Sequence, residues 1–327
     1  SSFGICFFIP PLIVILLHGT YFDLAWVRLF VVILFTLLLY KVSVAALKPK
    51  QDTATMGDFA RYAIPFGMSA IITNVYQRIN IIILSLIHGS TSAGIFTNGF
   101  MLFSALFFIP ANIMRVLLPH LYKTDRNKNI YAFQFAHDIY TKYLSAIGFF
   151  IMTMIILYAK DIIHLIFGAK YDQSIIVLQI SSLAIPFTFS ASSTIITSLD
   201  KQSAMSRIQT AGLVINVVSN VTLIYFFNLR GAAASAVITY GFLTVASLWY
   251  LKRSKIITLG KTIRIYLSLC AVTVVCATIK VYALSSLNFI ISGVIVATAY
   301  IAMCVPLLVT NDDIRIVKEM LGIKKKH

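Results

Sequence analysis

The stretch YAIPFGMSAIITNVYQRINIIILSLI, residues 62–87, decides the structural class of this chain. It is apolar over most of its length, and its one charged side chain is Arg78. A helix needs roughly 20 mainly apolar residues to span the hydrocarbon core of a bilayer. Backbone polar groups in lipid must be paired within their own segment, so the stretch is predicted to be a transmembrane helix rather than a strand.

Similar apolar stretches fill almost the whole of the 327-residue chain. Hydrophobic residues make up 59% of it, and the mean hydropathy is +0.89. The predicted spans are 3–17, 24–40, 62–87, 94–119, 140–158, 174–199, 205–227, 231–251, 263–281 and 288–309. We therefore predict an all-α, polytopic integral membrane protein of about ten transmembrane helices, whose connecting segments are too short to fold alone.

The net charge of +16 indicates membrane topology rather than nucleic-acid binding. When the segments between predicted helices are taken alternately, one set holds 20 Lys and Arg residues and the other holds four. Positive residues mark cytoplasmic loops. Every even-numbered predicted helix should therefore end in the cytoplasm, as should the C-terminal tail, and no nucleic-acid partner is expected.

Two polar, basic connections, 41–61 and 252–261, divide the predicted helices into groups. The predicted organisation is a two-helix remnant of an N-terminal lobe over 1–50, a C-terminal six-helix lobe over 51–252, and an appended helix pair with a basic cytoplasmic tail over 253–327. The chain begins at Ser1 without a Met. We expect it to be part of a longer transporter that has lost most of its N-terminal lobe.

The predicted helix 62–87 has one polar and one apolar face when its residues are placed 100° apart. The polar side is formed by Ser69, Thr73, Asn74, Tyr76, Gln77 and Asn80, with Arg78 at its edge. The opposite side is formed by Ile71, Ile72, Val75, Ile79, Ile82 and Ile83, and we expect it to face lipid. The polar side should face a wet cavity, or else form interhelical hydrogen bonds.

Three arginines, Arg28, Arg78 and Arg115, lie inside predicted spans instead of loops. An arginine costs roughly 2.5–3.5 kcal/mol at a helix centre on insertion scales, so it usually faces a cavity or a partner. Arg78 is nearest the middle, about 15 Å from the outer end of its helix at 1.5 Å per residue. Arg28 and Arg115 are close enough to a surface to snorkel. Each is a candidate for binding a substrate anion, the alternative being contact with a neighbouring helix.

Small polar residues mark two later spans. The span 174–199 is rich in Ser and Thr between Ser181 and Ser198, which permits close helix packing and also tolerates a wet surface; packing is our first interpretation. Asn216 and Asn220 share one face of the next helix, and small residues follow over 231–236. We interpret this hairpin as structural.

Three groups of residues, in this order, resemble the second lobe of bacterial polysaccharide flippases. The first is AIPFG at 63–67 with RIN at 78–80 and AGIF at 93–96; the second is LIFGAKY at 165–171; the third is Asn216 and Asn220 followed by LRGAA at 229–233. Together they extend over about residues 60–250. The chain is thereby identified with the O-antigen and capsular polysaccharide repeat-unit flippases of the multidrug/oligosaccharidyl-lipid/polysaccharide exporter superfamily.

The resemblance implies two six-helix lobes around a central cavity, and a transporter rather than an enzyme. The implied substrate is an undecaprenyl-diphosphate-linked oligosaccharide, moved across the bacterial cytoplasmic membrane by alternating access for O-antigen, lipopolysaccharide or capsule synthesis. Membrane lipids, a polysaccharide polymerase and a chain-length regulator are the expected partners, with no cofactor and no metal.

The candidate substrate-binding residues fall into two chemical groups. Arg78, Arg28 and Arg115 offer guanidinium groups, which stay charged and bind diphosphate oxygens in pairs. Asn74, Gln77, Asn80 and Tyr76 offer hydrogen bonds to sugar hydroxyls, and the tyrosine adds a stacking face. Relatives often carry Asp where this chain has Asn80, so coupling that needs a buried carboxylate would have to use helices outside this sequence.

Other functions remain open. A cation-coupled multidrug antiporter of the same superfamily should present a buried carboxylate, and none of the eleven acidic residues is expected at mid-membrane. A polytopic glycan polymerase or ligase should carry a large periplasmic loop with catalytic residues, whereas the outer segments here are short. A lipid II exporter and a purely structural membrane component are the further alternatives.

Overall fold

The computed structural model describes residue 14 and residues 20–46, 56–123, 130–199, 201–284 and 287–308. These residues form helices joined by turns and one short 3₁₀ helix, with no strand among the described ranges, so the predicted all-α class is confirmed. Most of the predicted span 3–17 lies outside the described residues.

The chain divides into two units, Ser1–Ala60 and Arg61–His327. In the first unit, helix α1 covers Tyr21–Ala46 and includes the predicted span 24–40. The backbone N–H and the hydroxyl of Thr20 both donate to the Asp23 carboxylate, at 2.8 and 2.7 Å. This capping-box arrangement pairs a backbone donor at the start of the helix and fixes where α1 begins.

Helix α2, Met56–Ala105, begins just before the boundary between the two units. All described helices that follow α2 lie in the second unit. They are α3 (Phe108–Lys123), α4 (Ile130–Phe167), α5 (Gln173–Ser182), α6 (Ile185–Thr188), α7 (Ser192–Ser198), α8 (Gln202–Arg253), α9 (Leu259–Ala283) and α10 (Phe289–Leu308). The 3₁₀ helix Ala169–Tyr171 lies between α4 and α5.

Helix α8 is a hairpin broken at Asn228, which has a non-helical backbone with φ 51° and ψ −125°. Asn216 Nδ2 donates to Thr239 Oγ1 at 2.8 Å, and Ser235 Oγ donates to Asn220 Oδ1 at 2.7 Å. Each pair is placed symmetrically about the break, so the two halves of α8 run antiparallel and face each other. The break falls between the predicted spans 205–227 and 231–251.

Glycines permit two of the sharpest changes of direction. A Cβ added to Gly231 would overlap the backbone carbonyl of Leu223, so the two halves of α8 can approach this closely only with glycine here. Gly89 interrupts α2 with φ 83° and ψ 169°, a backbone conformation that glycine adopts without the penalty of a side chain. That interruption falls between the predicted spans 62–87 and 94–119.

Six of the described helices are long and apolar enough to cross a membrane, or up to seven if the bent pair Gln173–Ser182 and Ile185–Ser198 forms one span. α2 and α8 have 50 and 52 residues. An unbroken helix of that length would be about 75 Å long at 1.5 Å per residue, more than twice the roughly 30 Å hydrocarbon core. α2 is instead interrupted at Gly89, and α8 folds back at Asn228. The predicted number of about ten spans stays a prediction.

The predicted span 174–199 is not one straight helix, because α5, α6 and α7 divide this stretch. The axis bends by 44° between Gln173–Ser182 and Ile185–Ser198. Pro186 is at the start of α6, where its missing N–H leaves no helical bond unmade. The backbone carbonyl of Pro186 instead accepts a 3.1 Å hydrogen bond from the Tyr266 hydroxyl of α9.

Helix α4 is at the centre of the second unit, where it contacts α5, α6, α9 and α10. The core around it includes the fully buried side chains of Phe96, Phe103, Phe189 and Ile195. The two helices of the predicted appendage pack on α4 within this same compact unit. The predicted division at 252 and 253 stays a prediction.

Candidate functional site

A cavity of about 660 Å³ lies within the second unit, between α2, α3, α8 and the segment that contains α6 and α7. Fourteen of the 21 described residues that line it carry a hydroxyl or amide group, and the other seven are apolar. The α6–α7 segment contributes Thr188, Ser190, Ser192, Ser193, Thr194 and Thr197. The first half of α8 contributes Gln202 and Gln209, and the second half contributes Tyr240, Thr244 and Ser247.

Aromatic rings form one side of this cavity. Tyr240 lies edge-on to Tyr76 at 5.9 Å between ring centroids and to Phe107 at 5.4 Å. Phe103, which lies behind the wall, is 6.0 Å from Tyr240 and completes the cluster. Contacts from three rings hold Tyr240 in place, so the cavity has a rigid aromatic surface beside its hydroxyl groups.

Asn74 and Tyr76 are the two predicted sugar-binding residues that line the cavity, together with Thr73. Tyr76 is buried, and its hydroxyl donates to Thr73 Oγ1 at 3.4 Å. Ile72 is also buried, against Tyr76 and Leu243, so the prediction that Ile72 faces lipid is wrong. Part of the apolar surface of this helix therefore packs on α8. The polar residues mark only a part of the surface that neighbouring helices cover.

Asn80 is buried away from the cavity and hydrogen-bonded to α8. Its Nδ2 donates to the Ala232 carbonyl at 3.3 Å, and its Oδ1 accepts from Asn220 Nδ2 at 2.8 Å. Asn220 Nδ2 also donates to the Asn216 carbonyl at 2.8 Å. The described contacts of Asn80 are thus interhelical, and they favour the alternative of helix packing for this residue over sugar binding.

The three arginines do not line the cavity. Arg78 is exposed on the second unit, and Arg115 is exposed next to the cavity residue Met114. Arg28 is exposed on α1 in the first unit. The side chain of Gln77 lies outside the described residues. The structure therefore brings Asn74 and Tyr76 together, while the roles of the arginines and of Gln77 stay predictions.

One group beside the cavity was not found from the sequence. His137 is completely buried near the start of α4, with Nε2 at 3.3 Å from Thr141 Oγ1 and 3.5 Å from Oγ of the cavity residue Ser192. Its Nδ1 lies 3.6 Å from Asp138, which pairs with Lys261 of α9 at 3.1 Å. The i, i+4 spacing of His137 and Thr141 is the one local signal in the sequence.

Two comparisons with known proteins find a match. A family model described as polysaccharide biosynthesis protein matches residues 4–176, which is more than half of the chain. A solved structure of lipid II flippase MurJ, in an inward closed conformation, matches with a TM-score of 0.68 and 15% sequence identity. The match covers 91% of this chain and 65% of that one, so the chain spans slightly less than two thirds of the flippase. No curated protein matches by sequence.

Proposed function

We propose, from the premise that this chain belongs to the polysaccharide biosynthesis protein family, that it is a flippase for undecaprenyl-diphosphate-linked oligosaccharide repeat units. The observation that carries this proposal is a cavity walled by hydroxyl and amide groups inside a bundle of apolar, membrane-length helices. Such a wall can form hydrogen bonds with a hydrophilic headgroup, while the apolar outer surfaces of the helices contact lipid. The fold shared with a lipid flippase supports the same function.

The predicted topology gives the cavity a direction. The lining residues within 190–197 and 240–247 lie toward the predicted cytoplasmic ends of their spans. A cavity in that position would receive the headgroup from the leaflet in which the lipid-linked sugar is made. Rocking of the helical lobes would then expose the headgroup to the other side, while the prenyl tail stays in lipid.

The diphosphate needs a cation, and Arg78 is our first candidate for it. Arg78 is exposed and lies about 15 Å from the end of the first segment of α2 at 1.5 Å per residue. At that depth an arginine is costly unless it faces water, a partner helix or an anion. We propose that Arg78 binds the diphosphate and that Asn74, Tyr76 and Gln77 serve the glycan, with Arg28 and Arg115 as further candidates for binding an anion. Asn80 instead holds α2 to α8.

Lipid II is a second candidate substrate, favoured by the shared fold with a lipid II flippase. It also carries sugars on an undecaprenyl diphosphate, so the same division between cation and hydroxyl contacts would serve it. On the first candidate, the chain would work in the cytoplasmic membrane for O-antigen, lipopolysaccharide or capsule synthesis, beside a polysaccharide polymerase and a chain-length regulator.

The test is complementation in the cell. The chain, with any sequence that precedes it in its gene, is expressed in one strain deleted for its repeat-unit flippase and in another depleted of its lipid II flippase. Restored surface polysaccharide in the first strain supports the main proposal, and restored growth of the second supports lipid II. Failure in both strains at normal membrane levels, with increased drug efflux, would replace the flippase by a multidrug antiporter.

A further inference from the structure

We propose that the cavity of the second unit binds the uncharged sugar rings of the substrate and excludes both its diphosphate and charged sugars. This inference rests on the proposed flippase function and assigns one part of the substrate to one site. It separates the glycan contacts from the arginines, which lie elsewhere on the chain.

The wall of the cavity carries no charged side chain among the described residues. Every described residue that lines the cavity is neutral, and most of the polar ones are alcohols or amides. An ionised group that leaves water without a charged partner loses much more free energy than a hydroxyl group that finds a hydrogen bond. A diphosphate, a uronic acid or a cationic drug would therefore be disfavoured in this cavity, and a neutral sugar would not.

The wall also contains buried polar atoms that are available to a ligand. Ser247 is 1% exposed, and its Oγ has no hydrogen-bond partner among the described residues. Oε1 of Gln209, also buried, likewise has none within the described ranges. Both residues line the cavity. A buried polar atom without a partner is destabilising, and sugar hydroxyls could pair with both because each hydroxyl can donate and accept.

An aromatic surface lies beside these hydroxyl and amide groups. Tyr240 is held by edge contacts with Tyr76 and Phe107, at 5.9 and 5.4 Å between centroids. A sugar ring has an apolar C–H face as well as hydroxyl edges, so a fixed ring next to a row of hydroxyls matches both of its surfaces. The cavity volume of about 660 Å³ also falls within the roughly 300–1,000 Å³ of typical small-ligand sites.

The proposal is tested by binding to the purified chain in lipid nanodiscs. The probes are undecaprenyl diphosphate, the same lipid carrying a neutral trisaccharide, and the same lipid carrying a trisaccharide that ends in a uronic acid. We expect wild type to bind the neutral glycolipid about ten-fold more tightly than bare undecaprenyl diphosphate, with the uronic acid removing most of that advantage.

Near-isosteric variants place the effect in the cavity. Ser247→Ala and Gln209→Met should each reduce the ten-fold advantage by about three-fold or more, because each removes one hydrogen-bonding group without changing the packing volume much. Thr278→Val is the matched control, since Thr278 is exposed on α9 and its hydroxyl donates to the Val275 carbonyl of its own helix. Affinity for bare undecaprenyl diphosphate should stay within two-fold of wild type in all three variants.

Different binding results would contradict the sugar site and the proposed flippase function. Equal affinity of wild type for the bare and the neutral-sugar lipid would overturn the sugar site and leave the flippase standing. An advantage that both cavity variants retain would also overturn it, by placing the sugar elsewhere. If none of the three lipids bound to wild type, the proposed function itself would fail.

Discussion

Asn220 of α8 donates a hydrogen bond of 2.8 Å from Nδ2 to Oδ1 of Asn80 on α2, across 140 residues of sequence. Asn80 in turn donates to the Ala232 carbonyl at 3.3 Å, and Ser235 donates to Oδ1 of Asn220 at 2.7 Å. These neutral groups tie α2 to both halves of the α8 hairpin. The network therefore fixes two elements that also supply walls of the cavity.

We predict that Asn80→Ala and Asn220→Ala each lower the free energy of unfolding in detergent by about 1–2 kcal/mol, because each leaves a buried partner unpaired. The double variant should lose less than the sum of the two, with a coupling of about 0.5–1.5 kcal/mol. Asn112→Ala is the control, since its side chain donates to the Phe108 carbonyl within its own helix. Strictly additive losses would show that the two asparagines do not interact.

The sequence predicted the helices well because length and hydropathy are local properties. The span 24–40 lies within α1, Tyr21–Ala46, and 263–281 lies within α9, Leu259–Ala283. Composition does not show how 174–199 divides into three helices, because hydroxyl side chains and tertiary contacts stabilise the non-helical turns between them. Pro186 was the local sign of a break, and a proline is also compatible with a simple kink.

Gly231 offers a second test of the hairpin. Gly231→Ala should lower the free energy of unfolding by about 3 kcal/mol, because its Cβ would overlap the Leu223 carbonyl and force the halves of α8 apart. Gly260→Ala in α9 is the control, since a Cβ there has no atom within 4 Å. We expect Gly260→Ala to be neutral or slightly stabilising. Equal melting temperatures for the two variants would contradict the close approach.

The candidate site was only partly predictable. Helical spacing placed six polar residues on one side of 62–87, and three of them, Thr73, Asn74 and Tyr76, line the cavity. Helical spacing could not show that Asn80 is hydrogen-bonded to Asn220, a residue distant in sequence. The cavity itself could not be predicted either, because its hydroxyls come from separate helices that only the tertiary structure brings together.

Two lysines of α9 should differ in their effect on stability. Lys280 is partly buried, donates to Ser292 Oγ of α10 at 3.2 Å and lies over the Tyr158 ring of α4 at 5.2 Å. Lys261 is exposed and pairs with Asp138 at 3.1 Å. Lys280→Met should cost about 1–2 kcal/mol by removing contacts to two helices, whereas Lys261→Met should cost less than about 1 kcal/mol because exposed ion pairs contribute little. Denaturation in detergent measures both, and the reverse order would contradict this assignment.

Arg78 provides the test of the diphosphate site, because it is exposed on the second unit and separate from the neutral cavity. We expect Arg78→Ala to weaken binding of bare undecaprenyl diphosphate about ten-fold or more, and Arg78→Lys to weaken it less, since a lysine keeps the charge but not the paired hydrogen bonds. Arg264→Ala is the control, an exposed arginine near the start of α9.

The effects of Arg78→Ala on lipid binding are compared with those of the cavity variants. If diphosphate and sugar bind at separate sites, Arg78→Ala should weaken the bare and the glycosylated lipid by the same factor and leave their ratio unchanged, whereas Gln209→Met changes the ratio and not the bare lipid. Unchanged binding of bare lipid to Arg78→Ala, at normal stability, would assign Arg78 to helix contacts. If either variant changed both the affinity for the bare lipid and the ratio of the two affinities, one site would hold the whole headgroup. Independent contacts cannot alter each other's contribution to affinity.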